Sequence, residues 1–111
     1  MKTKILLTIG FLFLTVTSQA GPNEALYGSF FNESGVVIQV YSGGCTYKSS
    51  FAVRKEYVGG VHKIWFYRVK PDFCEAFVKY GKFLIFSYDD LGLQAYDRFE
   101  IMNPRVVPRV R

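Results

Sequence analysis

Apolar and polar positions alternate in short runs along most of the chain, and turn residues interrupt them about every eight to twelve positions. Strict alternation is the period of a half-buried strand, and no window sustains the 3.6-residue apolar period of a helix. The clearest case is Phe51–Val58, Gly59-Gly60, Val61–Val69. Gly-Gly supplies the positive φ angles of a two-residue hairpin turn. That turn fixes a register in which paired residue numbers sum to 119. Phe51, Val53, Ile64 and Phe66 then share one face, which is assigned to the core. The other face sets Arg54 against Trp65 and Glu56 against Lys63, a guanidinium over an indole and an opposite-charge pair.

The remaining pattern gives shorter elements. Gly21 to Gly35 holds an aromatic cluster, Tyr27, Phe30 and Phe31, between polar residues. Val36–Tyr41 is a buried strand ended by Ser42-Gly43-Gly44. A second hairpin is expected at Phe73–Lys79, Tyr80-Gly81, Lys82–Tyr88. Its simplest register turns Cys74, Ala76 and Val78 toward Ser87, Ile85 and Phe83, and gathers Phe73, Phe77, Leu84, Phe86 and Tyr88 on the opposite face. The same register opposes Lys79 to Lys82, a like-charge conflict, and a one-residue slip would exchange the faces. Asp89-Asp90-Leu91-Gly92 fits a type I turn. A last strand, Arg98–Met102, points Phe99 and Ile101 inward and stops at Asn103-Pro104. The fold class is therefore all-β: a small antiparallel sandwich or barrel of five to six strands with one disulfide.

The first 20 residues change the domain picture. Lys2 and Lys4 precede an apolar run from Ile5 to Val16, and small residues stand at Ser18 and Ala20. This is the three-part layout of a secretory signal peptide, cleaved before Gly21. The run is well short of the roughly 20 apolar residues that a spanning helix needs, so no transmembrane span is expected after cleavage. The expected organisation is a leader over 1–20, a β domain over 21–104 and a basic flexible tail over 105–111. The implied location is exported, periplasmic or extracellular.

Charge follows the same division. The chain carries 14 Lys and Arg against nine Asp and Glu. Two of the cations belong to the leader, and Arg105, Arg109 and Arg111 to the tail, so residues 21–104 balance at zero. A neutral body offers no basic face to displace phosphate counterions, which argues against a nucleic-acid partner. The two cysteines, Cys45 and Cys74, pair in an oxidising compartment. Closing a loop of about 30 residues contributes roughly 3–4 kcal/mol in the chain-entropy account. Their spacing is unlike the close pair of a redox motif, so the bridge is expected to be structural.

Candidate chemistry is sparse. His62 is the single histidine and sits just past a hairpin turn, where a solvated side chain is expected. No G-x-S-x-G elbow accompanies it. One histidine and two paired cysteines give no zinc set, and Asp89, Asp90 and Asp97 match no calcium loop. Glu75 with Asp72 or Asp89 carries no mark of a glycosidase pair. Asn32-Glu33-Ser34 matches a glycosylation acceptor, which matters only in a eukaryotic host. No cofactor, metal or catalytic residue is assigned.

Aromatic content is more informative. After the leader the chain holds eight Tyr, nine Phe and one Trp. A core this small cannot cover them all, so part of the set is expected at a partner surface. The candidates are Arg54, Trp65 and Tyr67 on the outer face of the first hairpin, and Phe73, Phe77, Phe86 and Tyr88 on the second. The alternative for the second set is burial against an opposing sheet.

Residues 43–104 carry a further pattern: Gly43-Gly44-Cys45-Thr46, Lys48, Phe51, Arg68 through Pro71-Asp72, Cys74, Ala76, Phe86 to Leu93, and Asn103-Pro104. In these the chain resembles a group of small exported bacterial proteins of unknown function. The resemblance implies a disulfide-linked domain in or beyond the bacterial envelope and brings no activity or ligand. The expected function is a non-enzymatic binding module for an unknown protein or envelope component. The alternatives are a secreted inhibitor of a protease or other hydrolase, which calls for a protruding ordered loop, and a small hydrolase, which calls for a concave site with clustered titratable groups.

Overall fold

The computed structural model describes residues 23–108. The expected leader over 1–20, its cleavage point and the last three tail residues lie outside the described residues. Six strands follow one another: β1 (Gly28–Asn32), β2 (Gly35–Val40), β3 (Phe51–Val58), β4 (Val61–Arg68), β5 (Lys82–Phe86) and β6 (Phe99–Ile101). One short 3-10 turn, Lys48–Ser50, precedes β3. The strands form two three-stranded sheets ordered β1-β2-β5 and β3-β4-β6. All-β architecture and the Cys45–Cys74 bridge are as the sequence pattern predicts. Among the described residues no helix is long and apolar enough to cross a membrane.

The two sheets bury one face each against the other. Val36, Ile38, Val40, Leu84 and Phe86 come from the first, and Phe51, Ile64 and Phe66 from the second. The Phe66 and Phe86 rings meet at 4.9 Å across the layer. Each such side chain removed from water contributes roughly 1.5–3 kcal/mol. Leu26, Leu91 and Leu93 close the ends of this core. Val37 points the other way yet is buried, because Phe30 and Ile85 are its cross-strand neighbours on either side. That explains why β2 is apolar without interruption.

The β3–β4 hairpin has the expected register, Phe51 opposite Arg68 through Val58 opposite Val61. Gly59 and Gly60 take φ of 61° and 82° at its tip. Ile64, Phe66 and Phe51 are buried and Val53 packs against them. The β1–β2 hairpin turns at Asn32, whose Oδ1 accepts the backbone N–H groups of Ser34 at 2.8 Å and Gly35 at 3.3 Å.

One expectation needs correction. The second hairpin does not form, because Phe73–Val78 is not a strand and β5 pairs with β2 instead. Pairing with β2 places Leu84 and Phe86 in the core and avoids the Lys79–Lys82 opposition. It also leaves the 72–76 segment free to be held by Asp72 and the disulfide. The strand β6 runs parallel to β4, with Ile101 beside Ile64, while the other strand pairs are antiparallel. The start of the basic segment is paired to the chain near its other described end. Leu26 bridges Arg105, and its N–H donates to Pro104 O at 2.8 Å while its carbonyl accepts the Val106 N–H at 2.9 Å.

Candidate functional site

Two features gather chemistry-bearing groups: a carboxylate hub beside the disulfide, and an aromatic flank where the sheets part. The hub forms where the loop after β2 meets the segment after β4. Asp72 Oδ2 accepts hydrogen bonds from Thr46 Oγ1 at 2.6 Å, Gly43 N at 2.8 Å and Cys45 N at 3.0 Å. Its Oδ1 accepts the Cys74 N–H at 3.0 Å. Gly43 is required here, since a Cβ at that position would lie 2.3 Å from the Cys74 carbonyl oxygen. Partial burial pushes the Asp72 carboxyl up. The donors from Thr46 and from the Gly43, Cys45 and Cys74 backbones outweigh it and hold the group well below the usual carboxylate range.

Cys45, Asp72 and Cys74 place their sulfur and carboxylate atoms within 4.8 Å of one another. That trio has the residue types of a metal site. Both sulfurs are joined to each other and the carboxylate oxygens are already engaged by the donors above, so the geometry is that of a hydrogen-bonded staple. Neither Glu75 nor Asp89 is brought to Asp72 by any hydrogen bond or ion pair described for them, and no carboxylate pair is assembled there.

A polar chain continues inward. Thr46 Oγ1 accepts from Arg68 Nη1 at 2.9 Å, and Arg68 pairs with Glu24, Nη2 to Oε2 at 2.9 Å and Nε to Oε1 at 3.3 Å. The guanidinium also donates to the Tyr41 carbonyl and lies over the Phe51 ring at 4.7 Å. Asn103 serves as a substitute peptide group. Its Oδ1 accepts the Phe66 N–H at 2.8 Å, and its Nδ2 donates at 2.7 Å to the carbonyls of both Phe66 and Glu24. These contacts are structural: they satisfy buried backbone where β6 has ended.

The aromatic flank lies on the side where edge strands β1 and β6 face each other. Phe31 on β1 turns toward the inter-sheet space, but β6 is too short to cover it. Its ring meets Phe99 edge-on at 5.5 Å and remains largely exposed. Two adjoining cavities, about 510 and 410 Å³, share Phe31 and Phe99 as a common wall. The first reaches Arg105 and Ser29, which are joined by a 2.7 Å hydrogen bond. The second is lined by Tyr88, Leu93 and the turn 94–97. That turn is held from within by the Gln94 N–H on Asp97 Oδ2 at 2.7 Å and the Asp97 N–H on Gln94 O at 3.1 Å. At its apex Tyr96 has φ of 68° and 101% relative exposure.

The sequence-assigned aromatic candidates do not converge on one surface. The Arg54 guanidinium stacks over Trp65 at 3.8 Å, as expected from the register, and so covers part of the indole face. Tyr67 is half-buried beside the entering chain at Asn23. Phe73 and Phe77 are exposed on the irregular segment after β4. Phe86 is a correction: it is core, opposite Val36, because β5 pairs with β2. Tyr88 does join the flank, 6.2 Å from Phe99, with its hydroxyl donating to Asn32 O. Phe99 points inward as expected, packing half-buried against the core while it walls the flank, and Tyr96 has no local signal in sequence. Phe31 was visible only as part of an aromatic cluster.

His62 is also a correction. Its side chain is only 18% exposed, stacked 4.6 Å from Tyr57, with Nε2 3.5 Å from Asp97 Oδ2. Nδ1 is buried and makes no hydrogen bond among the described residues. No serine or cysteine nucleophile accompanies it in these contacts. Asp90 holds the turn after β5, where hydrogen bonds from Lys48 and Ser87 lower its carboxyl below the usual range despite some desolvation. No protein-family model, curated protein or solved structure matches the chain.

Proposed function

We propose that the chain is an exported, non-enzymatic binding module that recognises a protein or envelope component through the aromatic flank of Phe31, Tyr88, Tyr96 and Phe99. The observation that carries this reading is Tyr96, fully exposed at positive φ on the lip of an aromatic groove. A left-handed conformation costs a non-glycine residue about 1–2 kcal/mol, and glycine would hold that turn position at no such cost. A ring exposed in full contributes no packing to the fold. Its presence there is accounted for by a contact outside the chain, where tyrosine is a favoured anchor.

Immobilised oxidised protein, incubated with envelope extract of the source organism, tests this. Native protein should enrich a specific component, and Tyr96→Gly should lose it. Phe73→Ser, on the segment after β4, should retain it. Enrichment of nothing specific, or enrichment undiminished by Tyr96→Gly, contradicts the proposal. The same protruding turn, fixed by its own hydrogen bonds, also favours a second reading as an inhibitor. In that case the captured component is a hydrolase that loses activity at one-to-one stoichiometry.

A further inference from the structure

We propose that Asp72 is the template on which the Cys45–Cys74 bridge closes. A single carboxylate accepts the backbone N–H of both cysteines, one on each oxygen, at 3.0 Å apiece. Oδ2 also collects Gly43 N and Thr46 Oγ1. The Ala76 N–H donates to Gly43 O at 2.9 Å and laces the same two segments a second time. None of these contacts involves a sulfur atom, so all of them are open to the chain while its cysteines are still thiols. The dithiol chain thus has a means of bringing residues 45 and 74 together, although the whole β3–β4 hairpin lies between them in sequence.

The closing reaction with a small disulfide oxidant proceeds by two exchanges. One cysteine thiolate attacks the oxidant, forming a mixed disulfide and expelling one thiolate. The second cysteine thiolate then attacks the protein sulfur of that mixed disulfide and expels the other. The two cysteines are oxidised by two electrons, the oxidant is reduced to two thiols, and the cysteine protons pass to those thiols. Asp72 takes no part in bond making. It is a positioning residue that raises the effective concentration of one sulfur at the other in the second exchange. Its fixed negative charge, within 4.8 Å of both sulfurs, disfavours a thiolate at either one. The pair therefore closes through proximity and not through an activated nucleophile, which suits a permanent crosslink and not an exchanging one.

The test is the equilibrium constant for bridge formation in glutathione redox buffers, measured on the whole chain. Asp72→Asn keeps the size of the side chain but turns a donor toward the N–H groups it should accept. The template role predicts at least a tenfold fall in that constant, about 30 mV for a two-electron couple. Thr46→Val, which deletes one donor and keeps the carboxylate, should lower it about threefold. A residue that merely stabilises the fold would weaken reduced and oxidised protein alike and leave the constant unchanged. A constant within twofold of native in Asp72→Asn overturns the proposal. An unchanged constant in Thr46→Val overturns it as well, and decides the matter if Asp72→Asn fails to fold.

Discussion

Truncating Asn103 to alanine should cost far more than an average polar substitution. The side chain is 5% exposed, and its amide replaces the strand partner that Phe66 would otherwise lack. Phe66 is 0% exposed, so neither its N–H nor its carbonyl has water as an alternative. Deleting the amide strips the Phe66 N–H, leaves the Phe66 carbonyl with only the Glu24 N–H at 3.2 Å, and takes a donor from the Glu24 carbonyl. Leaving a buried polar group unpaired costs about 1–3 kcal/mol. One fully enclosed group left unpaired, with a second left on a longer bond, gives a loss of about 2 kcal/mol. For a domain of this size that lowers Tm by roughly 8–16 °C. Urea and thermal melts followed by circular dichroism, with the disulfide intact in both proteins, measure it. A loss below about 1 kcal/mol, the worth of one ordinary hydrogen bond, would refute the peptide-substitute argument.

Other outcomes follow from the same geometry. Cys45→Ser should lose roughly 3–4 kcal/mol by urea titration, because the bridge closes a loop with a sequence separation of 29. Tyr96→Gly should raise stability by about 1 kcal/mol by relieving positive φ, and a lower Tm would show that the ring supports the fold after all. Asp72 gives a pH signature. Its folded pKa lies below the unfolded value of 3.8, so its contribution is complete above that value and declines as pH falls through the lower folded value. The stability gap between native protein and Asp72→Asn should therefore be constant near neutrality and narrow on acidification below about pH 4. A gap that widens in acid would contradict the sign.

The first hairpin was legible in the sequence because everything that fixes it is local. Gly59-Gly60 dictates the turn, the alternation dictates the faces, and Arg54 over Trp65 agrees with both. The partner of β5 was not legible. Lys82–Phe86 alternates correctly for any neighbour, and the segment expected to pair with it is held elsewhere by Asp72 on Gly43, Cys45 and Thr46, contacts spanning 26 to 29 residues. Composition could not announce that role, since a half-buried hub and a surface turn use the same aspartate. Asn103 was visible only as a strand stop, because its partner Phe66 is 37 residues away. The aromatic excess did predict exposed rings. It did not say which, because Phe31 is left exposed beside a half-buried Phe99 by the shortness of β6, a property of the assembled sheets and not of either residue.

The pairing of Leu26 with Pro104 and Val106 has a consequence for how the molecule comes apart. The first and last described segments clasp each other over a fully enclosed leucine, so neither peels away without breaking bonds to the other. An exopeptidase approaching from either direction meets one shared latch. Clipping the chain ahead of Pro104 would strip the cover from Leu26 and leave the opposite end hanging on Glu24 and its bonds to Arg68, Asn103 and Phe66.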